Sequence, residues 1–188
     1  MSRSILVVAV GGTLRAESST AKVLKAVLAD VAAKGARVQL FSGASLNFPM
    51  YAPGVAATEA VGSFVSSLRS ADAIVLGSPG YHGGISGLVK NAIDYTEELA
   101  ADTVPYFTNK PVGCVATGLG WQGCNTTLQA LRNVVHSLRG WPTPLGIALN
   151  TKEPSFDSSG GCINRELGFQ IGLMADQLMA GARELSEA

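Results

Sequence analysis

Five short apolar stretches, each followed by a segment of helical periodicity, limit what this chain can fold into. Residues 5–10, 36–41, 73–77, 110–117 and 145–149 read as strands. The first, third and fourth are almost unbroken runs of β-branched and small apolar residues, as expected of parallel strands covered on both faces. Val38 and Leu40 alternate with polar neighbours, which puts the second strand further out. The helices between them are residues 18–34, 58–70, 86–99, a long one reaching about residue 139, and 163 to about 182. In the first, Val23, Leu24, Val27, Leu28 and Val31 share one face, and Gly35 closes it.

Strand and helix alternating five times predict an α/β fold, a parallel sheet with helices on both faces. Right-handed crossovers then give a doubly wound five-stranded sheet of flavodoxin-like order 2-1-3-4-5. No repeat, low-complexity tract or linker interrupts the 188 residues, so residues 1–188 are expected to form one domain. In such a sheet a ligand lies beyond the carboxyl ends of the strands, where the order reverses between strands one and three.

Composition narrows the partners. Charged residues are only 15% of the chain against 47% hydrophobic, and 14 basic side chains balance 14 acidic ones. Nothing suggests nucleic acid or a membrane surface, and the low charge fits surface hidden in an oligomer. No run approaches the ~20 apolar residues of a membrane span. Cys114, Cys124 and Cys162 have no CxxC spacing, and with two histidines they make no metal site. Reduced thiols and a cytoplasmic home are the expectation.

The first strand runs through Gly11 and Gly12 into a loop bearing Thr13 and Arg15, then Ser18, Ser19 and Thr20 where a helix begins. The first two turns carry Lys22 and Lys25, with Glu17 at the edge. Hydroxyls, an arginine and a helix amino terminus together favour an anion. The loop has neither GxxxxGK[ST] nor GxGxxG, and the second strand ends Leu40-Phe41-Ser42-Gly43 without an acid to hold a ribose. A monophosphate remains, as a mononucleotide such as FMN presents.

Two further loops fall at the same edge. Pro79, Gly80, Tyr81, His82 and Gly83 follow strand three, where glycines let backbone approach a flat ring. Thr117, Gly118, Gly120 and Gly123 follow strand four; amides there stabilise charge that develops on a reduced isoalloxazine. Trp121 either flanks the ring or packs on a neighbouring subunit. His82 has no carboxylate partner in the local sequence and reads as a ligand contact or a surface residue. Ser18 and Ser19 lack a GxSxG elbow. No side chain is assigned a catalytic acid, base or nucleophile role.

Residues 12–20, Gly-Thr-Leu-Arg-Ala-Glu-Ser-Ser-Thr, are similar to the phosphate loop of NAD(P)H-dependent FMN reductases, G-[ST]-x-R-x-x-S-x-[NT]. Residues 78–94 resemble the second signature of that family, P-x-Y-x-x-x-x-x-G-x-x-K-N-x-x-D, and residues 46–51 its apolar loop after strand two. The resemblance implies that Thr13, Arg15, Ser18 and Thr20 bind the FMN phosphate. Pro79, Gly80, Tyr81 and His82 would line the isoalloxazine, with Gly118 and Gly120 at its other edge. It implies hydride transfer from NADH or NADPH to FMN and on to a small-molecule acceptor: free flavin, sometimes for a flavin-dependent monooxygenase, or a quinone, azo compound or metal oxyanion. Members often form homodimers or homotetramers around the helix bearing Lys90, Asn91 and Asp94. Azo-dye, quinone and chromate reductases share both signatures. The alternative is a flavodoxin-type carrier without NAD(P)H activity, against which the balanced charge speaks. No loop plainly displays the basic cluster that a 2′-phosphate needs.

Overall fold

A computed structural model describes residues 4–185. Its strands are β1 (Leu6–Gly11), β2 (Arg37–Phe41), β3 (Ala73–Tyr81), β4 (Gly84–Ile85), β5 (Pro111–Gly118), β6 (Trp141–Pro142) and β7 (Ile147–Asn150). The helices are α1 (Ser19–Ala33), α2 (Glu59–Ser70), α3 (Gly87–Asp94), α4 (Trp121–Ser137) and α5 (Arg165–Leu185), with 3₁₀ turns at Gly43–Leu46 and Tyr95–Leu99. Parallel pairing runs β2-β1-β3-β5-β6, and β7 also pairs with β5. The expected doubly wound order holds for the five parallel positions, but the sheet has seven strands rather than five.

Both extra strands have a chemical reason. The fifth position is split: β6 pairs with Pro111 and Val112, β7 with Val115 to Gly118. Between them Pro144 has no N–H to give the ladder, and the Thr143 hydroxyl donates to the Leu145 carbonyl at 2.7 Å. The strand therefore starts again at Ile147, two residues later than expected. β3, in turn, does not stop at Gly77. It runs through Ser78, Pro79 and Gly80 to Tyr81 and folds back as β4, with Tyr81 opposite Gly84. Proline is tolerated there because β1 has ended at the Gly77 pairing, leaving β5 as the neighbour. His82 (φ 52°) and Gly83 (φ 83°) are the two left-handed residues of a tight hairpin turn.

Alternation along β1 and β3 serves two cores. Val8, Val10, Ile74 and Leu76 face α2, α3 and α4 through Phe64, Leu68, Val89 and Leu131. Val7, Ala9, Ala73 and Val75 face α1 and α5 through Leu24, Val27, Met174 and Leu178. Ser18, Thr58 and Ser86 cap α1, α2 and α3, each accepting from a backbone N–H in the first turn. The segment expected as one helix over residues 86–99 is helical only to Asp94 and then tightens into the 3₁₀ turn.

The apolar stretch after β2 packs on the body of the protein. Leu46 is buried, Phe48 meets Phe64 and Tyr95, and Tyr51 meets Tyr95 edge-on at 5.3 Å. Asn91 of α3 pins it: its Oδ1 accepts from the Tyr51 amide at 2.8 Å and its Nδ2 donates to the Pro49 carbonyl at 3.0 Å. The Tyr95 hydroxyl donates to the same carbonyl. Asn91→Ala removes both Asn91 bonds and leaves the Tyr51 amide in need of a partner, while the Pro49 carbonyl keeps its bond from Tyr95. We expect a loss of about 3 kcal/mol in urea unfolding; a loss within error of zero would mean the stretch holds itself in place.

The three thiols differ sharply. Burial in β5 pushes the Cys114 thiol up to about 12, burial also raises Cys124, and Cys162 is exposed. A raised value keeps a thiol protonated and unreactive at pH 8. A chromogenic disulfide reagent at that pH should therefore modify one thiol per folded chain and three after denaturation, and Cys162→Ser should abolish the fast equivalent. Two fast equivalents would show that Cys124 is reached.

Candidate cofactor site

The site begins where β1 ends. Gly11 has φ 151° and lies so close to β3 that a Cβ there would stand 1.9 Å from the Gly77 carbonyl oxygen. That approach sends the chain over the sheet edge into the loop of residues 12–18. Ser18 closes the loop: its Oγ accepts from the Ala21 amide at 3.2 Å and its carbonyl from Lys22 at 3.0 Å. The first amides of a helix have no partner within it, so those of Ser19 and Thr20 are left for a ligand or water. No acidic residue stands in the first turn of α1. Arg15 is exposed and makes no ion pair among the described residues.

These groups border a cavity of about 420 Å³, a size typical of small-molecule sites. The phosphate loop gives it Thr13, Arg15, Ser18, Ser19 and Thr20; β3 gives Pro79, Gly80 and Tyr81; β5 gives Thr117 and Gly118. The three chain segments expected to converge do so. Gly80 is small for a packing reason, since a Cβ there would lie 2.8 Å from the Gly123 carbonyl and 2.7 Å from the Thr127 hydroxyl. On the floor, Thr20 and Thr117 are both buried and their hydroxyl oxygens are 2.7 Å apart.

His82, Gly83 and Gly120 do not border this cavity. His82 and Gly83 occupy the exposed tip of the hairpin, and Gly120 precedes α4, its carbonyl accepting from the Cys124 amide. Gly123, expected in a loop, is the third residue of α4, where its amide still has no partner within the helix. Trp121 opens that helix and is 60% exposed.

Two lining residues, Leu119 and Thr151, were not singled out from the sequence, and a third, Glu17, was noted only as a charge at the loop edge. Leu119 is an exposed apolar residue at the mouth. Thr151 clamps the Gly118 carbonyl, which accepts from its amide at 2.8 Å and its hydroxyl at 3.1 Å; nothing in a polar loop of the sequence marks that role. Glu17 would oppose an anion, but Lys22 Nζ stands 2.6 Å from its carboxylate. The Lys22 hydrogen bond and charge hold the Glu17 carboxyl below the usual range.

A roomier cavity of about 630 Å³ lies at the opposite end of the sheet, around Arg69, Asp102 and Lys110. There Arg69 Nε donates to Asp102 at 2.7 Å and Lys110 Nζ to the Leu68 and Arg69 carbonyls. Its polar groups are thus engaged with one another, and it adjoins the amino ends of β3 and β5, the edge at which such sheets do not bind ligands.

A sequence model of the family described as NADPH-dependent FMN reductase matches residues 5–153. Curated FMN-dependent NADPH-azoreductases of Staphylococcus aureus are 33% identical over 113 residues, 59% of this chain and 56% of theirs. The chain therefore spans little more than half the length of those relatives. Among solved structures, an oxidoreductase from Corynebacterium diphtheriae superposes with a TM-score of 0.72 at 22% identity, over 97% of this chain and 99% of that one. FerB, an NAD(P)H:(acceptor) oxidoreductase of Paracoccus denitrificans, gives 0.75 at 21% over 94% and 98%. A flavodoxin, WrbA-like protein from Agrobacterium tumefaciens gives 0.66 at 20% over 97% and 99%. At these identities the likeness carries the flavodoxin-like fold.

Proposed function

Because this chain belongs to the NADPH-dependent FMN reductase family, we propose that it is a flavin-dependent oxidoreductase that uses NADH or NADPH to reduce a small acceptor through FMN. One observation carries the reading: the loop after β1 and the carboxyl ends of β3 and β5 border one cavity, and α1 aims its amino terminus there beside Arg15, which makes no ion pair among the described residues.

The residues fit FMN. The Ser19 and Thr20 amides, the Thr13 hydroxyl and Arg15 would hold the phosphate, with the helix dipole adding to their attraction. Pro79 and Gly80 present side-chain-poor backbone for a flat ring to lie against, and Gly118, held by Thr151, would meet its far edge. When bound, FMN supplies the redox chemistry, taking hydride from a reduced nicotinamide and passing electrons to the acceptor. The chain positions the reactants and shields them from water; none of its side chains needs to move a proton. Beside the cofactor cavity, a second cavity of about 290 Å³ lies between Leu14, Tyr81 and Leu88, sharing Thr13 and Arg15 with it. Its apolar walls support a planar aromatic acceptor, a flavin, quinone or azo compound. Leu14, Tyr81, Leu119 and Trp121, exposed around the mouth, support a homodimer or homotetramer.

No helix among the described residues is long and apolar enough to cross a membrane, and the three unpaired cysteines support a cytoplasmic home. Titrating the purified protein with FMN, then with NADPH under anaerobic conditions, tests the proposal. We expect the visible flavin spectrum to shift on binding and bleach on reduction. A spectrum identical to free FMN would overturn it, and binding without reduction would favour an electron carrier.

A further inference from the structure

On the other side of the phosphate loop lies a further cavity, of about 290 Å³, between that loop, the outer face of α1 and the turn after β2. Its charged lining consists of Arg15 and Lys25, and no carboxylate borders it. Neither cation makes an ion pair among the described residues, whereas Lys22, Lys34 and Lys90 each do. Hydroxyl groups of Thr13 and Ser42 complete the polar wall, and Leu40 supplies an apolar one. Two like charges facing one recess repel each other, and an anion between them reverses the sign of that energy.

Lys25 is not part of the arrangement for the flavin phosphate. It stands six residues beyond Ser19, about 9 Å along the helix axis, and does not border the cofactor cavity. The chain therefore offers two anion sites that share Arg15 as a wall: one at the amino terminus of α1, the other at Lys25. Arg15 and Lys25 sit in a loop and on a helix, and the winding of α1 brings both to this recess, so the sequence displays no cluster.

We propose that the recess between Arg15, Lys25 and Ser42 receives the 2′-phosphate of NADPH and makes the enzyme prefer NADPH to NADH. This rests on the reductase reading and deepens it. A ribose 2′-phosphate dianion offers three terminal oxygens that accept hydrogen bonds, matched by two cations and two hydroxyl groups. NADH has only a 2′-hydroxyl there, and would leave Lys25 without a counter-charge.

The test uses the FMN-loaded protein. Lys25→Gln should lower the ratio of kcat/KM for NADPH over that for NADH about tenfold or more, the worth of one charge-assisted contact. Calorimetry with adenosine 2′,5′-bisphosphate should show the same loss, with much less change for adenosine 5′-phosphate. Lys25→Arg should restore both. An unchanged ratio and an unchanged bisphosphate affinity would overturn the proposal, as would equal weakening of the two adenosine ligands. Failure of the protein to bind FMN or to oxidise either dinucleotide would sink the reductase reading instead. The calorimetric titration reports on Lys25 in either case.

Discussion

Arg15→Ala should weaken FMN binding by about ten- to a hundredfold, the loss expected when a charge-assisted contact to a phosphate is removed. The guanidinium is free of ion pairs among the described residues, so no structural bond is broken with it. The loop keeps its own internal hydrogen bond, from the Arg15 amide to the Thr13 hydroxyl at 3.2 Å, which the substitution leaves intact. Quenching of flavin fluorescence measures the dissociation constant, and raising the salt concentration should narrow the gap between variant and parent. Arg15→Lys should recover part of the loss, because a point charge replaces a planar fork. An unchanged affinity would remove the phosphate assignment. Since Arg15 also borders the recess at Lys25, this variant should weaken NADPH as well; Lys25→Gln separates the two effects.

Gly11→Ala should cost about 4 kcal/mol or more, or prevent folding. A left-handed conformation alone costs an alanine about 1–2 kcal/mol. Here the new methyl would also stand 1.9 Å from a backbone oxygen of the central strand β3, which cannot swing aside as a flexible side chain does. The comparison is Gly35→Ala, just beyond α1. That glycine also has positive φ, 91°, but nothing lies within 4 Å of its missing Cβ. Urea unfolding of the two variants separates backbone strain from collision. Equal losses would mean that β1 and β3 can part at Gly11 at little expense.

The parts of the fold that were legible in the sequence are those where burial and periodicity coincide. Val7 to Val10 and Ile74 to Leu76 are buried on both sides, so only apolar residues are tolerated and the run reads as strand. Ser18 precedes an apolar-periodic helix, and the hydroxyl caps it as its position suggests. The two errors at β3 and α4 have one origin. Pro79, Gly80 and Gly123 carry local turn preferences, yet β3 and α4 run through them, and Gly80 is small because a Cβ there would strike the Gly123 carbonyl and the Thr127 hydroxyl of α4. Local propensity loses to packing there. Thr151 escaped notice for a different reason. Its partner, the Gly118 carbonyl, is a backbone atom 33 residues away, and backbone partners leave no mark on composition. Lys25 was visible as a charge, but its recess with Arg15 depends on how far α1 has turned.

The paired hydroxyl groups of Thr20 and Thr117 leave a surplus. Each oxygen carries one hydrogen and has room to accept two, so whichever threonine donates across their 2.7 Å contact, the other keeps its own hydrogen unspent. Both residues border the cofactor cavity. The base of the binding chamber can therefore present a donor from the helix side or from the strand side, and exchange the two by rotating a pair of C–O bonds while every Cα stays where it is.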